Sequence, residues 1–246
     1  GDEVKRIDIK DKLRALDVTV SGIRLGDFDL IGDVTARKAR SPDDPNYTKF
    51  GAFFRPNYER GVLIYHLIRA GALRSVLEIG FGRGYGALCA AKAFHDAGIA
   101  GRVISVDPMP AGVNEPVWQR YQRELFKLFP WASQYIDVRV GRSADVVPVL
   151  MGPWDLIYID GDHSYEGTRS DWNLVKNMWT RHVLFDDYHL PTKDDPGIQC
   201  SRAIDEIDDP SMELVITDRR MFPDDRGLRD DQIDYGQVLL TRGAMQ

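Results

Sequence analysis

From Arg74 onward, seven β-rich runs alternate with helical ones, and that alternation restricts the chain to βαβ units built on a parallel sheet. The runs are SVLEIG at 75–80, RVISVD at 102–107, IDVRVG at 136–141, WDLIYID at 154–160, HVLFDD at 182–187, MELVIT at 212–217 and GQVLLT at 236–241. Helices are expected at Ala87–Ala97, Pro116–Leu128, Arg169–Met178 and Ser201–Ile207, with a short turn at Asp145–Leu150. Between the last two runs lies MFPDDRGLRDDQIDYG, polar and without helical period, so those strands are expected to pair as an antiparallel hairpin at one edge. The predicted layout is α/β, a doubly wound seven-stranded sheet that is mostly parallel.

Residues 1–73 precede the first run and read as an N-terminal cap on a domain spanning 74–246. They hold a turn-rich patch, RKARSPDDPNYTKFGAFFRPNYERG, followed by an amphipathic helix with apolar Val62, Leu63, Leu67 and Ile68. Tyr47, Phe50, Phe53, Phe54 and Tyr58 either line a pocket or staple this cap to the core. No internal repeat or low-complexity tract points to a solenoid or propeller.

At 246 residues with 43% hydrophobic content the chain can bury a full core, and should fold alone or as a homo-oligomer. A formal net charge of -6 would repel phosphate backbones and anionic bilayers, which argues against nucleic acid and membrane as partners. No run approaches the roughly 18 apolar residues of a membrane span, and GDEVKRIDIK lacks the apolar stretch of a signal peptide. Cys89 and Cys200 lie far apart, Cys89 inside an apolar helical stretch, so reduced thiols and a cytoplasmic setting are expected.

The most specific motif is LEIGFGRGYG, in which Glu78, Gly80, Phe81, Gly82, Gly84 and Tyr85 connect a strand to a helix. Glycines permit a tight turn and close ligand approach, and a helix N-terminus offers unpaired N–H groups. A dinucleotide fingerprint needs GxGxxG, but Tyr85 stands where the third glycine would be; ExGxGxG is instead the pattern of S-adenosylmethionine-dependent methyltransferases. Glu78 supports that reading, because a charge inside a central strand demands a partner. The next strand ends in Asp107, followed by Pro108, where an acid can accept ribose hydroxyls or merely cap a turn. Arg142 and Ser143 in GRSAD would sit beside an adenine, unless Ser143 is a plain helix cap.

The fourth run delivers YIDGDHSYEG, placing Asp160, Asp162, His163 and Glu166 at the C-terminal edge of the sheet, and the fifth adds Asp186 and Asp187, then Tyr188 and His189. Two carboxylates about 4 Å apart repel by on the order of 4 kcal/mol at an effective dielectric near 20, so the cluster calls for a cation or shared protons. A hard divalent ion, Mg²⁺, is the economical answer. Trp172, Val175 and Trp179 read as packing residues, and His66, His95 and His182 lack metal-ligand spacing.

On LEIGFGRG, Asp107, IDGDHSYEG and FDDY, the chain resembles the class I, Rossmann-like methyltransferases of the metal-dependent O-methyltransferase type. It is most similar to the macrocin O-methyltransferase and cephalosporin-tailoring group, with a layout also like catechol O-methyltransferase. The resemblance implies S-adenosylmethionine held by the Gly80–Gly84 loop, Asp107 and Asp160, and Mg²⁺ held by Asp160, Asp186 and Asp187. It further implies a small-molecule hydroxylated acceptor. Catechol-type enzymes carry a Lys three residues after the first metal Asp, whereas His163 stands here. His163 is either the general base or a loop histidine bonded to Asp162 or Glu166. Three other readings share parts of the pattern: a nicotinamide oxidoreductase, an aminopropyl transferase and a non-catalytic binding module.

Overall fold

The structure, a computed structural model, describes residues 4–19, 58–108, 115–189, 198–216 and 235–243. In chain order the elements are β1 (Lys5–Asp8), α1 (Ile9–Ala15), α2 (Tyr58–Gly71), β2 (Ser75–Ile79), α3 (Tyr85–Ala97), β3 (Arg102–Asp107), α4 (Glu115–Leu128) and β4 (Ile136–Val140). They continue with α5 (Ser143–Val146), β5 (Trp154–Ile159), α6 (Tyr165–Val175), β6 (Trp179–His189), α7 (Cys200–Ile204), β7 (Glu213–Ile216) and β8 (Tyr235–Thr241). The strands form one sheet in the order β1-β7-β8-β6-β5-β2-β3-β4. Only β8 runs against its neighbours β6 and β7; the other pairings are parallel.

Because helices cover both faces, the central strands are continuous apolar runs. On one face Val76, Leu156, Tyr158, Leu184 and Leu239 pack with Leu13 of α1, Leu63 and Leu67 of α2, and Leu88 and Phe94 of α3. On the other face Leu77, Ile157, Val183 and Leu240 pack with Val175 of α6 and Ile204 of α7. Trp179 is buried, and Trp172 packs on Phe185 with ring centroids 5.7 Å apart, so these tryptophans serve the core as expected. Trp179, however, opens β6 rather than closing the preceding helix.

The sheet has eight strands where seven were expected. KRID is too short and too charged to stand out as a strand, yet it pairs in parallel with the outer side of β7. Glu213 secures the join, receiving Lys5 at 2.8 Å and Lys12 at 2.5 Å. The C-terminal hairpin therefore does not form the edge; β8 inserts between β6 and β7, and β1 closes the sheet. The helix expected at Arg169 begins four residues earlier, at Tyr165, because Ser164 caps it by accepting the Gly167 N–H at 3.0 Å. Glu166 consequently lies exposed in that helix's first turn rather than at the strand tip.

Tyr47, Phe50, Phe53, Phe54, the polar stretch before β8 and the side chains of Tyr58 and His189 lie outside the described residues. Among the described residues no helix is long and apolar enough to cross a membrane. The described parts of the first 73 residues are bound into the core through Ile9, Leu13 and the apolar face of α2. Leu13 is fully buried, so Leu13→Ala should cost about 3 kcal/mol in urea unfolding. A loss below about 1 kcal/mol would mean that the N-terminal segment is not docked.

Candidate active site

Strand order reverses at β2, which has β3 on one side and β5 on the other, so the crevice at the C-terminal ends of β2 and β5 is the topological switch point. Two backbone hydrogen bonds of 2.8 Å tie its rim, from Gly80 N–H to the Val106 carbonyl and from Asp160 N–H to the Ile79 carbonyl. The rim is so tight that a Cβ on Gly80 would run into the Asp160 carbonyl, and Gly80 also has φ +95°. Gly82, at φ +53°, is different: among the described residues a Cβ there would meet nothing within 4 Å. The loop is thus closed against the protein at Gly80 and open outward at Gly82. Gly84, at φ 90°, precedes α3.

Asp107, at the end of β3, accepts the Gly82 N–H at 2.9 Å, which pins its carboxylate to the open part of the loop. Pro108 and Arg142 are exposed beside it in sequence, at the ends of β3 and β4. The side chains of Phe81 and Tyr85 are buried in the core, with the Phe81 ring packed against Gly84. Ser143 is not a helix cap: the cap is Arg142, and the Ser143 hydroxyl donates to Asp171 at 2.5 Å. Burial raises the Asp171 pKa to about 6 against the opposing effect of that bond.

Glu78 is buried below the loop and accepts a hydrogen bond from the Ser105 hydroxyl. Burial lifts its pKa to about 8; the Ser105 bond opposes the rise, and the nearby Asp160 charge adds to it. At neutral pH Glu78 is therefore mostly protonated.

Asp186 and Asp187 fall where the β6–β8 register shifts, between Phe185 and Tyr188, and Asp187 takes φ 54°. Such an irregularity re-aims side chains, and here successive residues face opposite sides of the sheet. Asp186 goes under the α2 face, its side chain inaccessible, and accepts from Arg60 Nη1 at 2.5 Å, Tyr158 OH at 2.9 Å and Gln237 Nε2 at 3.0 Å. Burial pushes its pKa up, but the Arg60 charge with the Gln237 and Arg60 hydrogen bonds holds it below the ordinary value. Asp160 Oδ2 shares the same donors, Arg60 Nη1 at 3.0 Å and Tyr158 OH at 3.1 Å. Asp187 instead faces His163, whose Nε2 lies 3.1 Å from Asp187 Oδ2 and 3.4 Å from Asp160 Oδ1. Hydrogen bonding to Asp160 and the surrounding carboxylates, against the effect of burial, raise the His163 pKa to about 9.

His163 is therefore bonded to Asp160 and Asp187 rather than to Asp162 or Glu166. The three carboxylates expected to hold Mg²⁺ do not form one cage. Among the described residues, the donor atoms lying within 4.8 Å of one another belong to Asp160, His163 and Asp187, with Asp186 set apart beneath Arg60.

Residues 77–188 match the model of a family described as a methyltransferase domain. The fold agrees with that of solved structures over nearly the whole chain. Cofactor-bound Rv0187 from MTB is 19% identical with a TM-score of 0.57, covering 96% of this chain and 97% of that one. The O-methyltransferase TomG from Streptomyces achromogenes, in complex with SAM, is 19% identical with a TM-score of 0.53, covering 75% and 80%. An O-methyltransferase from Bacillus cereus in complex with SAH is 18% identical with a TM-score of 0.51, covering 74% and 80%. A comparison with curated proteins finds no match.

Sequence reasoning missed Arg60, Tyr158 and Gln237, which complete the acidic side of the site from α2, β5 and β8. Gln237 had a signal, being a polar residue inside the apolar run GQVLLT. Arg60 had none, because its partners lie 100 and 126 positions further along the chain.

The Glu78 pKa has a consequence for stability. A carboxyl raised on folding binds its proton more tightly in the native state, so its contribution is present below about pH 4.5 and is lost as pH rises through about 8. In the ligand-free protein, wild-type stability relative to Glu78→Gln should fall steadily between those pH values in denaturant titrations. Parallel pH profiles for the two proteins would contradict the raised pKa.

Proposed function

We propose that this chain transfers the methyl group of S-adenosylmethionine to a hydroxyl of a small-molecule acceptor. The observation that carries the reading is the open cradle at Gly82 with the Asp107 carboxylate hydrogen-bonded to its N–H. S-Adenosylmethionine supplies an electrophilic methyl on a cationic sulfonium. Gly82 leaves room for a ligand to approach the backbone, Asp107 is positioned to accept ribose hydroxyls, and the exposed Arg142 and Pro108 border the adenine side. Glu78 forms the floor below. Around them Asp107, Asp160, Asp186 and Asp187 outnumber Arg60 and His163, so the crevice favours a cation. A nicotinamide dinucleotide would bring a pyrophosphate against those carboxylates, and the family match favours methyl transfer over aminopropyl transfer.

In this reading the acceptor hydroxyl enters beside Asp160 and His163; with its pKa raised to about 9, His163 accepts the hydroxyl's proton only in its deprotonated fraction, which grows as pH rises toward that value. Bringing oxygen and methyl carbon into line is the main contribution of the site. Residues 1–73 are proposed to select the acceptor, since α2 already reaches the strand tips through Arg60. The two free, buried cysteines fit a cytoplasmic protein.

Mg²⁺ does not fit between Asp160 and Asp186 as they are arranged, and the Asp160, His163 and Asp187 donors close on one another through the His163 ion pairs. The Asp186 oxygens already accept from Arg60, Tyr158 and Gln237, and Asp160 Oδ2 accepts from Arg60 and Tyr158.

Titration calorimetry with S-adenosylhomocysteine tests the donor. The wild type should bind it and not NAD, and Asp107→Ala should bind it roughly 10- to 100-fold more weakly, the worth of charge-assisted hydrogen bonds. Binding of NAD in place of the homocysteine ligand would overturn the assignment.

A further inference from the structure

The carboxylates at the tips of β5 and β6 require a cation, and the structure supplies one from a helix that precedes the methyltransferase domain. Arg60 stands in the first turn of α2, and its Nη1 lies 3.0 Å from Asp160 Oδ2 and 2.5 Å from Asp186 Oδ2. Tyr158 OH reaches the same two oxygens at 3.1 and 2.9 Å. Both carboxylates therefore turn one oxygen toward a shared guanidinium nitrogen. Gln237 Nε2 occupies the other oxygen of Asp186 at 3.0 Å. A divalent ion bridging the pair would need the same lone pairs and would have to displace the Arg60 nitrogen.

Arg60 is built into this position. Its side chain is only 17% exposed, and its guanidinium lies over the Tyr85 ring at 5.4 Å from the centroid. The following residue, Gly61, lets α2 approach α3 closely, because any Cβ there would collide with Tyr85 and Cys89. A planar, permanently charged guanidinium suits two converging carboxylates better than an ammonium would.

We propose that Arg60 is the built-in cation of this site, standing between Asp160 and Asp186 where a divalent ion would otherwise bind, so that methyl transfer by this chain needs no metal. The clause on methyl transfer rests on the function proposed above; the assignment of the cation does not. Arg60 acts through the two carboxylates and holds the tips of β5 and β6 in register, which makes it a positioning residue.

The test is a Mn²⁺ titration of the full-length, metal-stripped protein, followed by electron paramagnetic resonance, for the wild type, Arg60→Met and Arg60→Lys. The wild type and Arg60→Lys should take up no stoichiometric Mn²⁺. Arg60→Met, which uncovers two carboxylates, should gain one site roughly a hundredfold tighter than any in the wild type, and its Tm should rise with Mn²⁺. One tightly bound Mn²⁺ per wild-type chain, or no gain in folded Arg60→Met, would overturn the proposal. Should Arg60→Met not fold in metal-free buffer, the wild type and Arg60→Lys still decide the question: Mn²⁺ uptake by either, abolished by Asp186→Asn, contradicts it and silence supports it. Absence of S-adenosylhomocysteine binding would strike the methyl-transfer reading alone and leave the Mn²⁺ result standing.

Discussion

Carboxylates withdrawn from water at the tips of two parallel strands are tolerable only if positive charge is placed against them, and much of this molecule is arranged to meet that condition. Asp186 is inaccessible and Asp160 nearly so, and the charge that compensates them comes from Arg60, far earlier in the chain. That dependence gives the N-terminal segment a structural duty. β1 adds to the sheet, α1 buries Ile9 and Leu13, and α2 packs on α3 through Gly61, so the helix that carries Arg60 is held from several directions. The opposite side of the bulge presents Asp187 to His163, and the irregularity between Phe185 and Tyr188 thereby serves two environments.

The loop after β2 answers a different constraint. Gly80 has to be a glycine because the chain at the end of β5 passes too close for a side chain, whereas Gly82 has open space around it among the described residues and is held by Asp107. A loop that is crowded below and vacant above is suited to a ligand lying across it. With protonated Glu78 beneath and an excess of carboxylates alongside, the crevice is better matched to a sulfonium than to a pyrophosphate.

The parallel strands, the glycine loop and the acids at the strand tips were legible in the sequence, because each rests on local periodicity or on a motif a few residues long. β1 was not, since KRID becomes a strand only by finding the unpaired side of β7 and the Glu213 carboxylate. The start of α6 was misplaced because Ser164 and Gly167 were read as loop, although they form a cap. The three carboxylates expected to hold a metal do stand just beyond the end of β5 and in β6. Their division into an inaccessible Asp186 under Arg60 and an Asp187 turned toward His163 depended on a bulge and on Arg60, neither of which leaves a local trace.

Crystals grown with S-adenosylhomocysteine and Mn²⁺, measured at the manganese absorption edge, would put the donor site and the Arg60 cation in view together. The account predicts adenosyl density lying across Gly82 with its ribose at Asp107, Arg60 between Asp160 and Asp186, and no anomalous peak between those carboxylates. A manganese peak there with Arg60 displaced, or a ligand bound away from the Gly80–Gly84 loop, would contradict it.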